Sequence, residues 1–396
     1  MGDAGDDFPP LGRLSKSVQG PSISAPLPAS VPDLPAAAAE DLVTLVITTS
    51  PTPSAPSTEL LEQITTAFRK HCPSLAKCRV ILVIDTYDRV SGTARLKKGH
   101  VTAEGAATFA KYKANAMSFI LREYAPVGTV YDESEFSVST ELAEYGSAAY
   151  GHQDNAVTLS VAKTPDERII FIEPRQRLGF GLAVRSALRL TATPYVWIQQ
   201  HDWALISDVP LNPLLRIMRQ DSKPAVGYDE NWETQSTRPP VSYVCFPSIR
   251  MIRYATSDHV MQHSALRALT QLHKQTFSVP SETGSGETVQ VPLTPMFFWH
   301  DKPHLAATEH YLNVVFPNRI VVPRGAFIED TVGHRARTEM KDGEWKKWAC
   351  WLYYPDEGTQ LCLRHLKGRT WRGVEGELAQ VMEYMRLNEG GTDIKT

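Results

Sequence analysis

Four short apolar runs constrain this chain most: Leu42–Ser50, Arg79–Asp85, Arg168–Glu173 and Tyr195–Gln199. Each is rich in β-branched residues, apolar at successive positions and too short for a buried helix, so each reads as a strand covered on both faces of a sheet. Helical spacing lies between them. After Ser57-Thr58-Glu59, residues Leu60, Leu61, Ile64 and Phe68 form one apolar stripe to about His71, and a second helix runs from about Ala106 to Arg122. Strand, helix and strand in alternation, joined by right-handed crossovers, predict an α/β fold with a mostly parallel sheet flanked by helices. The stretch from about 126 to 165 reads as polar and irregular.

With 396 residues, 42% of them hydrophobic and 21% charged, the chain can build one large domain or two smaller ones. Residues 1–40 are rich in Pro, Ser, Ala and Gly without periodicity, and read as a disordered tail. A net charge of −3 provides no global basic field, so nucleic acid as a partner rests only on a basic aromatic segment near the carboxyl end. Cys72, Cys78, Cys245, Cys350 and Cys362 are odd in number and form no CxxC pair, which argues for reduced structural thiols over a disulfide framework or zinc knuckle. No run approaches the roughly 18 apolar residues of a membrane span. The acidic amino terminus lacks the apolar region of a secretory signal. The expectation is no membrane insertion and a cytoplasmic or nuclear location.

Chemistry concentrates in Gln176–Trp203. A glycine-bearing turn leads into a short helix with small and apolar residues on one face. Thr193-Pro194 breaks it, and the strand that follows places Gln200, His201 and Asp202 at its carboxyl edge, where open α/β sheets bind ligands. A His-Asp pair there suits a metal or a phosphate; on the plainer reading it caps the strand against nearby backbone. Beyond Asp208 the pattern gives a helix near Pro213–Arg219, strands near Ala225–Tyr228 and Ser242–Phe246, and a helix near His263–His273. A Ser/Gly/Thr loop at 281–288 and an apolar run at Val291–Trp299 come next, then a helix near Ala307–Phe316 and a strand at Arg319–Val322. Trp345–Trp371 interleaves aromatics with Lys and Arg: it reads as an acceptor platform or lid, or as a wrap that buries its tryptophans.

The helix containing Gly179-Phe-Gly-Leu-Ala-Val-Arg-Ser-Ala-Leu188, followed by a hydrophobic strand ending in His-Asp, resembles family 2 glycosyltransferases of the GT-A fold. There a G-x-x-x-A-R-N-x-G-L helix precedes a strand ending in D-x-D. Gly181, Ala183 and Arg185 approximate the helix positions, Ser186 replaces the usual Asn, and Gln200-His201-Asp202 occupies the D-x-D position. The likeness covers about residues 42–206 and extends to 295–335. It implies a catalytic domain over 41–335, with a nucleotide-binding half to about 206, an acceptor-side half from 207, and a Trp-rich extension at 336–396 packed on it.

The resemblance implies an inverting, hexosyltransferase-like enzyme that moves a sugar from a nucleotide-diphosphate sugar, expected to be a UDP-sugar, to an unidentified intracellular acceptor. Thr48 and Thr49 would line the nucleoside pocket, Asp85 would meet the base or ribose, and Gly181, Arg185, Gln200 and His201 would border the donor. Asp202 would hold a divalent cation, Mn²⁺ or Mg²⁺, with His334 as a further ligand. Gln200 in place of the first carboxylate leaves the metal requirement open. Glu309, then Asp301, are the expected acceptor bases, and Glu329 and Asp330 lie shortly before His334. Two rivals remain: a catalytically degenerate sugar-nucleotide-binding or interaction protein, and a nucleotidyltransferase on a similar scaffold. The second is disfavoured because Thr48-Thr-Ser-Pro-Thr-Pro53 lacks the glycines of a phosphate loop.

Overall fold

The computed structural model describes residues 29–30, 38–147, 155–221, 239–281 and 287–389. The chain's first half supplies β1 (Ala29–Ser30), β2 (Val43–Thr49), β3 (Arg79–Ile84), β4 (Arg89–Val90), β5 (His100–Val101), β6 (Ser137–Glu144), β7 (Ala156–Lys163), β8 (Ile169–Pro174) and β9 (Tyr195–Gln200). Its second half supplies β10 (Trp203–Leu205), β11 (Tyr243–Cys245), β12 (Gln275–Pro280), β13 (Thr288–Pro295), β14 (His304–Ala307), β15 (Cys350–Tyr353) and β16 (Leu363–His365). Twelve of these make one mixed sheet in the order β1-β12-β13-β15-β11-β14-β9-β2-β3-β8-β7-β6.

Its centre, β9-β2-β3-β8, is parallel. These are the four apolar runs of the sequence, and β2 is buried along its whole length. The helix Glu59–His71 turns Leu60, Leu61, Ile64 and Phe68 inward, and Phe68 meets the edge of the Trp197 ring of β9 at 6.5 Å. The helix Ala103–Tyr124 packs on β3 and β8, and Phe180–Arg189 on β2 and β3.

The flanks depart from a parallel sheet. β14 runs antiparallel to β9, β7 to β8 and β6 to β7. The stretch expected to be irregular therefore contains a hairpin. β6 is the outermost strand and most of its side chains are exposed on both faces, so it carries no buried alternation for a sequence pattern to reveal. Arg319–Val322, expected as a strand, forms none, and Ala307–Phe316 contains a single α-turn followed by a wider turn at Tyr311–Val315. Ala225–Tyr228 lies outside the described residues, as does most of the 1–40 tail; Ala29 and Ser30 pair in parallel with Phe277 and Ser278.

The Trp-rich segment is part of the sheet. β15 sits between β13 and β11, pairing with both, while Trp345, Trp348 and Trp351 are fully buried. Trp345, Trp348 and Trp351 follow the reading that buries the tryptophans, while Trp371 is only partly buried and Arg369, two residues before it, lines a pocket. One sheet thus spans the residues assigned to donor half, acceptor half and extension alike. All five cysteines are free and buried. Among the described residues, no helix is long and apolar enough to cross a membrane.

Candidate functional site

From β2 the chain steps outward through β3 to β8, then returns to place β9 on the other side of β2. That reversal opens a crevice between the carboxyl ends of β2 and β9, the place where open α/β sheets receive ligands. Thr48 pairs with Gln200 across it. A pocket with about 760 Å³ of empty space, part of it open to solvent, lies there. Thr48, Thr49, Asp85, Gln200, His201 and Asp202 all line it. Five of the expected donor-side residues and the expected metal ligand just after β9, Asp202, are therefore brought together.

Their hydrogen bonds define what each can do. His201 Nδ1 lies 2.8 Å from Thr49 Oγ1, which is 2.6 Å from the Tyr112 hydroxyl, and the His201 N–H donates to the Thr48 carbonyl. Burial holds the His201 imidazole below its ordinary value. Asp85 Oδ1 accepts from the N–H groups of Thr86 and Leu178, and Oδ2 from that of Gly179. Burial pushes this carboxyl up to about 6 against those bonds. Both oxygens are thus committed to the backbone, chiefly to the turn entering the helix Phe180–Arg189. Gly179 in that turn has φ 78°, and a Cβ there would fall 2.5 Å from the Gly325 Cα.

Gln200 Nε2 donates to the Asp301 carbonyl at 2.8 Å. Asp202 Oδ2 takes the Gly368 N–H at 3.2 Å and faces His365 Nε2 at 3.1 Å. Burial opposes its ionisation, but the His365 contact, the adjacent His201 and the Gly368 N–H outweigh it and hold the carboxyl below the usual range. Among the described residues, no three His, Cys, Asp or Glu side chains converge as a metal cage. Gln200 Nε2, His201 Nδ1 and Asp202 Oδ2 are each engaged in contacts within the chain.

Other expected site residues lie elsewhere. Gly181 donates to the Ala326 carbonyl and would drive a Cβ to 2.4 Å from Val322, which makes it a packing position. Arg185 reaches the Glu144 carbonyl of β6 at 2.8 Å and is not part of the pocket lining. His334 is exposed and meets the edge of Phe298 at 5.6 Å, again off the lining.

Glu309, the expected acceptor base, lies away from the pocket. β14 is antiparallel to β9, with His304 opposite Ile198 and Ala307 opposite Tyr195, so the chain leaves the pocket edge as it approaches residue 309. Glu309 is exposed at the amino end of β9, across the sheet from Asp202. Asp301, at the start of that same run, stays near the pocket through Gln200. It is buried and locked to Glu329: the Asp301 N–H donates to Glu329 Oε2, and the Glu329 N–H donates to Asp301 Oδ1. Among the described residues, Asp301 Oδ2 has no hydrogen-bond partner. Burial and the Glu329 charge push the Asp301 carboxyl well above the usual range. Glu329 is 40% exposed, 3.6 Å from His300 Nδ1. Burial raises its carboxyl, yet His300, the Asp301 N–H and Lys302 bring it below the ordinary value.

Sequence reasoning missed the pocket's Lys97 and Arg177 and the aromatics Tyr87, Phe180 and Phe327, and it offered Arg369 only as one cation of the basic aromatic segment. Arg177 had a signal, two residues before Gly179, and Arg369 belongs to the basic aromatic segment. Lys97 had none, since its loop carries no periodic pattern. The Phe180 and Phe327 rings stack at 6.0 Å. The chain matches no protein-family model and no curated protein sequence.

Proposed function

We propose that this chain transfers a sugar from a nucleotide-diphosphate sugar, with UDP as the expected nucleotide, to an acceptor hydroxyl. The observation that carries the reading is the pocket at the strand-order reversal, where the hydroxyl-bearing end of β2 faces Lys97, Arg177 and Arg369. Such cations stabilise a diphosphate as charge develops on it during departure. His201, its imidazole held below the ordinary value by burial, and the threonines add hydrogen-bonding groups to the same wall. Of the two carboxyls beyond Gln200, Asp301 is buried and pushed well above its ordinary range. Glu329 is partly exposed two residues after the pocket-lining Phe327 and held below its own, so it is the one suited to accept the proton of an attacking hydroxyl. This replaces Glu309 in the expected role of acceptor base.

A sugar-nucleotide-binding protein without transfer activity is the second reading, favoured by the engagement of both Gln200 and Asp202 in contacts within the chain. Titration of UDP, GDP and ADP, followed by a screen of their sugar conjugates for slow hydrolysis, separates the two. Binding with hydrolysis supports the transferase, binding alone the second reading. If none of the three nucleotides binds, both are wrong.

A further inference from the structure

We propose that Asp202 is a positioning residue that fastens a C-terminal strap across the pocket, and that Arg369 on this strap is a ligand for the donor's diphosphate. The inference rests on the nucleotide-sugar reading. The strap begins with β16, which pairs antiparallel with β10 immediately after Asp202, so that His365 lies opposite Trp203 with ring centroids 4.7 Å apart. The Leu366 N–H donates to the Asp202 carbonyl at 2.7 Å, and the Gly368 N–H to Asp202 Oδ2. Asp202 therefore holds the strap through its main chain and its carboxylate together, with the His365 contact as a third link. Beyond, the N–H groups of Thr370 and Trp371 close a turn on the Lys367 carbonyl, and Trp371 packs beside Leu60, Ala204 and Leu366.

The strap passes where a cation shared by His201 and Asp202 would sit. A Cβ on Gly368 would lie 2.8 Å from His201 Nε2 and 3.1 Å from Asp202 Oδ2. Main chain occupies this approach, and glycine permits it. The next residue, Arg369, lines the pocket with its guanidinium 5.4 Å from the Phe327 ring centroid. Among the described residues no carboxylate pairs with Arg369, whereas Arg177 faces Asp88 at 3.5 Å. A planar guanidinium without a carboxylate partner, held beside two further cations, suits two phosphate oxygens at once.

The test uses the full chain, with UDP and UMP titrated calorimetrically in EDTA and again with Mn²⁺. Arg369→Gln is expected to weaken UDP about tenfold while leaving UMP within about twofold, with partial recovery in Arg369→Lys. Asp202→Asn and His365→Gln are expected to weaken UDP equally in EDTA and Mn²⁺, and to speed trypsin cleavage after Lys367, a readout that metal ligation would not move. UDP binding that EDTA abolishes in the wild type, with Asp202→Asn mimicking EDTA and cleavage unchanged, overturns the strap role. Unaltered UDP affinity in Arg369→Gln overturns the phosphate role. If the wild type binds none of UDP, GDP and ADP, it is the nucleotide-sugar reading that has failed.

Discussion

Gly179 and Asp85 show how single residues shape the pocket wall. The carboxylate gathers two N–H groups of a turn whose glycine has φ 78° and lies against Gly325. Gly179→Ala should cost roughly 3 kcal/mol in urea unfolding, from backbone strain plus the clash with main chain. An unchanged midpoint would contradict this account. The neighbouring carboxyls separate just as sharply. Asp301, buried and with its carboxyl pushed well above the usual range, should tolerate Asp301→Asn with little loss of turnover, whereas Glu329→Gln should lower turnover by about 100-fold or more with nucleotide affinity unchanged. Equal losses in both variants would remove Glu329 from the base role. Asp85, His201 and Asp202 were legible because a strand end is visible in sequence. Their partners were not, since Leu178, Thr49 and Gly368 lie 93, 152 and 166 residues away in sequence.

At the level of elements, legibility followed burial. β2, β3, β8 and β9 announce themselves because each is apolar at successive positions, while exposed β6 has no such pattern. The tryptophans of Trp345–Trp351 were visible as residues, but whether they face a ligand or the core depends on what lies opposite. β15 lies between β11 and β13, so ending the chain after residue 335 would leave both of those strands with unpaired backbone and remove three buried indoles. Such a truncation should show no cooperative thermal unfolding by circular dichroism. A sharp transition would mean that residues 336–396 are a separable extension after all. Glu309 illustrates the other limit: its distance along the chain from Asp202 suited an acceptor base, yet the antiparallel direction of β14 carried it to the opposite edge.

Across the whole molecule, acid sensitivity is built into the interior. Burial lowers His259, His300 and His310 to about 4 and His304 to about 3, below the ordinary 6.5. The folded state therefore binds fewer protons than the unfolded chain as pH falls below about 6.5, and stability contributed by the neutral imidazoles is lost progressively down to about pH 4 and below. Urea midpoints should drop between pH 6.5 and pH 4, offset in part by the raised Asp85 and Asp301 carboxyls, which bind protons in the folded state over the same window; a midpoint that rises instead would show that the imidazoles do not dominate. Local sequence was sufficient to determine the α/β class and the strand that delivers Gln200, His201 and Asp202, because apolar periodicity and chain breaks act over a few residues. Tertiary structure alone decided that Asp202 meets a strap from the carboxyl end, that Arg369 joins the pocket and that Glu309 leaves it. Strand direction and long-range register set those meetings, and neither is encoded in the spacing of residues along one segment.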